Sequence, residues 1–249
     1  MFTPLAAEFT ASGSAHLVAL VVMVATCPVL VVFGRRRRTS DPTDRLGKVF
    51  AVALLLVTIP LQVLYFTPTY WNLDTTLPIQ LCDLASVVSA YALWTHRWWA
   101  SGLIYYWGLT LTVQAILTPN LRSGPDNPVF WLYWGMHLGT VWAAVYLTWG
   151  RALRPDWRSY RFAVATTTVW AISVFCFNLV ADTNYGFLNR KPGTASILDL
   201  LGPWPWYVGL EIAIVCSVWA LMTWPWTSVT PPRPGRRRRA APPAGDRSV

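Results

Sequence analysis

The sequence predicts an all-α polytopic membrane protein: a bundle of seven transmembrane helices, N-terminus outside and C-terminus cytoplasmic. Three observations carry that expectation. Of 249 residues, 54% are hydrophobic and only 12% are charged, whereas soluble domains carry about 25% charged residues. Seven stretches approach the roughly 20 apolar residues that a spanning helix needs. Lys and Arg alternate from loop to loop as the positive-inside rule requires. A water-soluble enzyme, a disordered chain and a disulfide-stapled mini-protein are excluded on the same grounds.

The segments follow in order. The first, 16–33, has no basic residue before it, while Arg35–Arg38 follow it. That order is the reverse of a signal peptide, so the segment is expected to stay as a helix that starts outside. The others are 48–66, 78–94, 100–117, 129–149, 161–181 and 206–226. With the N-terminus outside, the inner side collects seventeen Lys and Arg residues and the outer side only Arg122, Arg190 and Lys191. An even number of spans would break this alternation. Trp98, Trp99, Trp149, Trp157, Trp204, Trp206, Trp224 and Trp226 fall at span ends, as interfacial anchors do.

The net charge of +9 is concentrated in two runs, Arg35–Arg38 and Arg236–Arg239. Both flank apolar segments, so membrane topology explains them better than a nucleic-acid partner. Residues 1–226 are expected to form one membrane domain. Residues 227–249, rich in Pro, Arg and Ala, read as a disordered basic cytoplasmic tail lying on anionic lipid.

Polar residues at membrane depth are costly and so carry the functional information. Gln62, Gln114 and Asn178 come late in helices that run outward. His16, Gln80, Cys82, Asp83, His137 and Glu211 come early in helices that run inward, and Asp182 and Asn184 follow at the outer mouth. The polar groups therefore gather in the outer half, which predicts a polar pocket open toward the outer leaflet. The competing reading makes them helix-to-helix bonds, and for Gln62 and Gln114 taken singly it is the preferred one.

Cys27, Cys176 and Cys216 read as small buried apolar residues. Cys82 differs in its neighbours, Gln80 and Asp83. A thiol becomes a nucleophile when a base or a positive field stabilises its thiolate, and His137 is the one histidine deep in a span. Three scattered histidines and no closely spaced ligand pair predict no metal site. No cofactor is expected, because no Lys lies mid-membrane and neither a Gly-rich phosphate loop nor a nucleophile-elbow Ser occurs. The expected partners are membrane lipids, with no nucleic acid and no metal.

Between the last two spans, Pro192, Gly193, Gly202, Pro203 and Pro205 forbid a continuous helix. Ile197, Leu198, Leu200 and Leu201 are nevertheless too apolar for open solvent. A short interfacial helix capping the pocket is predicted. Such a cap would suit an acyl-chain substrate that enters sideways from the leaflet, although a rigid loop holding the last two helices in register fits as well.

Two motifs go further: Leu77-Pro78-Ile79-Gln80-Leu81-Cys82-Asp83, and the run from Asn184-Tyr185-Gly186-Phe187-Leu188-Asn189-Arg190-Lys191-Pro192 to Asp199-Leu200-Leu201-Gly202-Pro203-Trp204-Pro205-Trp206-Tyr207. Between them lie Gln114-Ala115-Ile116-Leu117-Thr118-Pro119 and His137. In this order and spacing, over about residues 9 to 226, the chain resembles the YwaF-like family of integral membrane proteins. That family is similar to a eukaryotic transmembrane acyltransferase that remodels phospholipids through a Cys-centred acyl-enzyme and a His.

The resemblance implies lipid acyl transfer or fatty-acyl ester hydrolysis in the cell membrane, with His137 as the carried-over base. The nucleophile lies at Cys82 or aligns at the position of Ile79, one turn away. In this reading Cys82 is the nucleophile, His137 the general base, and Asp83 or Asn178 its orienter. Gln80, Gln114, Asn178, Asn184 and Glu211 contact the substrate. The alternative is a non-enzymatic small-solute or lipid carrier or receptor, for which Pro78-Ile79-Gln80 is a typical helix break. No matching break occurs in the last three spans.

Overall fold

The computed structural model describes residues 13–121, 123–193 and 197–228. Among them are seven helices and no strand: α1 (Ser14–Ser40), α2 (Arg45–Tyr65), α3 (Leu81–Thr95), α4 (Trp98–Leu117), α5 (Pro128–Val145), α6 (Trp157–Ala181) and α7 (Trp206–Ser228). Five of them, α1, α2, α4, α6 and α7, are long and apolar enough to cross a membrane. Their outward faces stay apolar, with Val21, Leu56, Val169, Val180 and Leu221 all more than 60% exposed. A soluble monomer rarely leaves so much contiguous apolar surface in water. Arg122, residues 194–196 and the tail from 229 onward, with Arg236–Arg239, lie outside the described residues.

Two features depart from simple α-helical spans. The expected third segment begins at 78, but α3 begins at Leu81 because Gln80 is extended (φ −63°, ψ 144°) and Pro78 supplies no N–H. Ile79 therefore precedes the helix and does not sit one turn from Cys82 on its face. A π stretch, Trp107–Leu111, interrupts α4, and a π turn, Tyr146–Gly150, closes α5. Such insertions leave no signature in hydrophobic spacing.

α2 packs against α3 and α5, α1 against α5 and its π turn, and α4 against α3 and α6. One close crossing is between α1 and the π turn. A Cβ on Gly34 would lie 2.6 Å from Gly150 Cα, so only glycine allows the two backbones to meet there. Arg38 then bonds the freed Gly150 carbonyl through Nη2 at 2.7 Å, and Arg35 donates from Nε to the Trp149 carbonyl at 3.2 Å.

At this arginine end the loops converge on a buried carboxylate. Asp44 is 1% exposed and accepts from His96 Nε2 at 2.8 Å, from the Tyr146 hydroxyl and from Gly47 N, with Arg151 Nε at 3.4 Å. Burial pushes its carboxyl up, but those bonds and the Arg151 charge outweigh burial and hold it below the usual carboxylate range.

The side-chain and carbonyl bonds that join α7 to α4 all fall in its second half. Trp219 Nε1 donates to Thr110 Oγ1, Tyr106 meets Thr223, Tyr105 donates to the Met222 carbonyl, and Trp226 Nε1 donates to Tyr105. The first half of α7 carries Glu211 and borders a cavity instead.

Candidate functional site

The cavity has a volume of about 750 Å³ and is bounded by α2 to α7 and by the loop before α7. That size falls within the roughly 300–1,000 Å³ of small-molecule sites. Gln80, Cys82, Asp83, Gln114, His137 and Glu211 all line it, and Asn178 and Asn184 do not. The chain thus gathers six of the eight sequence-derived candidates around one space, from four different helices and one loop.

His137 is 3% exposed and sits in the middle of α5. Its Nδ1 lies 2.8 Å from the Tyr133 carbonyl one turn back. A carbonyl only accepts, so Nδ1 carries the proton and Nε2 is left as the basic nitrogen. The ring also lies against Tyr133, with centroids 4.0 Å apart and the planes tilted by 32°, and Tyr133 is held in turn by its hydroxyl on the Ala115 carbonyl. The orienting partner of Nδ1 is therefore a backbone carbonyl, while Asp83 and Asn178 make no bond to His137.

Cys82 stands in the first turn of α3 and packs against the cluster that contains Tyr133 and Met136. Its thiol has no hydrogen-bond partner among the described residues. The first N–H groups of a helix lack intrahelical acceptors. Here the amides of Asp83 and Leu84 return to the Gln80 carbonyl, whereas those of Leu81 and Cys82 bond to nothing among the described residues. Two free donors therefore lie beside the thiol. The side chains of Asp83, Gln114 and Glu211 are likewise unpaired among the described residues.

The two asparagines build the roof. Asn178, 1% exposed, donates to the Tyr185 carbonyl and to Asn189 Oδ1, and accepts from Tyr185 N and Thr183. Asn184 donates to the Arg190 carbonyl and accepts from the amides of Asn189 and Arg190. Every polar atom of Asn178 is therefore spent on the loop. Tyr185 ties that loop to the one before α3, accepting from Leu77 N and donating to the Leu73 carbonyl.

Gly186 takes a left-handed conformation (φ 67°), and a Cβ there would lie 2.5 Å from Trp170. Its amide donates to Gln80 Oε1 at 3.1 Å, and Trp170 Nε1 donates to the Ile79 carbonyl. The apolar stretch predicted to cap the pocket forms a 3-10 turn, Ile197–Leu201. Its Leu198 is 4% exposed and lines the cavity, while Leu200 is 83% exposed.

Gln62 donates to the Thr76 carbonyl, a loop tie and not a helix-to-helix bond. His16 sits against the Ile116 carbonyl and packs its ring at a tilt against Trp134, fastening the start of α1 to the end of α4. Sequence reasoning missed Tyr133, Thr167, Thr168 and Trp170 as cavity residues, since Tyr, Thr and Trp are ordinary helix-packing residues. No group of three or more His, Cys, Asp or Glu side chains converges among the described residues.

Against known families, the TMEM164 family matches residues 11–223. The chain belongs to the TMEM164 family. Membership in this transmembrane family agrees with the five long apolar helices and their exposed apolar faces. No match was found among curated proteins or among solved structures.

Proposed function

We propose that this TMEM164-family protein spans the cell membrane seven times, N-terminus outside and C-terminus cytoplasmic, and that its cavity transfers or hydrolyses fatty-acyl groups of membrane lipids. One observation carries the reading: Cys82 and the basic Nε2 histidine His137 border the same large, mostly apolar cavity. The resemblance to the YwaF-like family and its acyltransferase relative points the same way, and so does the excess of basic residues at one end of the bundle.

Chemically, Nε2 of His137 takes the Cys82 proton as the sulfur attacks the ester carbonyl. The carbonyl electron pair moves onto oxygen, and the unbonded amides of Leu81 and Cys82 donate to that oxyanion. Collapse expels the lipid alkoxide, which takes the proton back from His137 and leaves an acyl thioester. A lysolipid hydroxyl or water, deprotonated by the same nitrogen, then attacks the thioester carbonyl. The C–S bond breaks, the acyl group leaves on the attacking oxygen, and the Cys82 thiolate takes the proton back from His137. In this reading Gln80, Gln114 and Glu211, which line the same cavity, contact the headgroup or ester, and Asn178 and Asn184 hold the neighbouring loop. The apolar walls, including Leu198 and Phe175, accommodate the acyl chain.

The test is turnover by purified protein in phosphatidylcholine nanodiscs containing an isotopically labelled acyl donor and a lysophospholipid acceptor. His137→Gln is expected to abolish labelled product while lipid still binds. Turnover that survives in His137→Gln removes the proposed base. Wild-type protein that binds lipid but yields no product favours the carrier reading.

A further inference from the structure

A second, smaller cavity lies at the opposite end of the bundle, where the π turn of α5 meets α1. It measures about 370 Å³ and is lined by Arg35, Arg38, Thr148, Trp149, Arg154 and Trp226, with Ala152 beside them. Three guanidiniums surround one space. No carboxylate lies within 4 Å of any of them among the described residues, where the ion pairs involve His96, Arg151, Arg190 and Lys191.

The backbone uses only part of these arginines. Arg35 donates through Nε and Arg38 through Nε and Nη2 to the carbonyls of Trp149 and Gly150. Both Nη atoms of Arg35 and Nη1 of Arg38 are left without partners among the described residues. The guanidinium of Arg154 makes no hydrogen bond there and rests over the Trp226 ring, 5.6 Å from its centroid. The glycine-on-glycine crossing of Gly34 and Gly150 brings α1 against the π turn, and the bonds to the Trp149 and Gly150 carbonyls hold Arg35 and Arg38 at this place.

Thr148 supplies the second observation. It is 2% exposed, lines the same cavity, and its hydroxyl has no hydrogen-bond partner. A buried hydroxyl without a partner is costly, and Val would fill the same volume without that cost. A ligand oxygen reaching this hydroxyl between three guanidiniums would satisfy all of them together.

We infer that this arginine-lined cavity between α1 and the π turn of α5 binds a phosphate group, gripped by Arg35, Arg38, Arg154 and the Thr148 hydroxyl. Paired donors on a guanidinium match two phosphate oxygens at once. Two observations favour a phospholipid headgroup as the source over a soluble phosphate ester. Trp149 and Trp226 flank the cavity with centroids 5.8 Å apart, as rings at a bilayer interface do. The adjoining turns of α1 expose Val29, Val32 and Phe33, where acyl chains would lie. Because Trp226 closes α7, which also borders the large cavity, headgroup binding here would brace that helix.

The experiment uses the full chain and native mass spectrometry with phosphatidylglycerol or phosphatidylcholine as probe. Phosphatidylglycerol is expected to be retained in preference to phosphatidylcholine. The double variant Arg35→Gln, Arg154→Gln is expected to weaken it by about tenfold. The charge-matched control Arg36→Gln, Arg37→Gln removes the same charge from residues that do not line the cavity. It is expected to change binding by less than about threefold. Thr148→Val removes no existing bond and relieves the unpartnered hydroxyl, so it is expected to leave the thermal unfolding midpoint of the ligand-free protein no lower than wild type and to weaken binding by about tenfold.

Equal losses in the two arginine pairs would overturn the proposal, because diffuse surface charge would then suffice. Wild-type binding by Thr148→Val would also overturn it. A parallel titration with glycerol 3-phosphate in phosphatidylcholine nanodiscs separates the sources. Binding with the same residue dependence assigns the site to soluble phosphate esters, and retention of phosphatidylglycerol alone assigns it to the lipid.

Discussion

Asp44→Asn tests the arginine end most sharply, since it keeps volume and removes one charge. In the native protein two carboxylate oxygens receive donors from His96, Tyr146, Gly47 and Arg151. Asn offers one acceptor oxygen, so one side of the cluster meets an NH2 group instead. Tyr146 can turn its hydroxyl and His96 can change tautomer, but Arg151 can do neither. Its Nη1 already lacks a partner, and the substitution leaves its charge buried and uncompensated. Removing one partner of a buried ion pair costs about 3–5 kcal/mol. The acceptor that Asn retains brings the expected loss to about 2–3 kcal/mol.

Denaturation in mixed micelles at neutral pH reads this loss. The pH dependence gives an independent check. Asp44 is held below its ordinary value in the folded state, so its contribution is complete above the unfolded value of about 3.9. That contribution disappears as pH falls below this value through the folded one. Wild-type stability should therefore decline in that acid window more steeply than that of the variant. A variant within about 0.5 kcal/mol of wild type, with the same acid slope, would refute the assignment.

Three further outcomes follow from named contacts. Gly34→Val places a side chain against the Gly150 backbone and should cost about 1–3 kcal/mol or more, measured as a lower denaturation midpoint. Ala152 holds a left-handed φ of 62°, so Ala152→Gly should stabilise by about 1 kcal/mol; a lower midpoint would contradict that. Asn178→Ala removes four bonds to the roof. It should make opening of the Tyr185 amide easier by about 1–3 kcal/mol in hydrogen exchange, with little change in α2.

The long apolar helices were legible because their length and charge pattern follow directly from the demands of hydrocarbon. The gathering of Gln80, Cys82, Asp83, Gln114, His137 and Glu211 was legible for a related reason: polar groups at similar depth in alternating helices must face one end. Their distances were not, because helix rotation and the late start of α3 depend on packing. Asn178 read as a site residue because it is polar and deep, yet the structure spends all its bonds on the Tyr185 loop. Asp44 was hidden for the opposite reason. It lies among Asp41, Arg45 and the Arg35–Arg38 run, which reads as a solvated loop, and only the convergence of three distant loops buries it. The π segments and the Thr148 hydroxyl left no pattern that spacing could detect.

The central claim, a Cys82-centred acyl transfer, is tested most directly by intact mass spectrometry of the purified protein after incubation with membrane phospholipids. The account predicts a fatty-acyl mass increment on the wild-type chain. That increment should be absent in Cys82→Ala and should accumulate when the lysolipid acceptor is withheld. An increment that persists in Cys82→Ala, or a wild-type chain that binds lipid and never gains one, would contradict it.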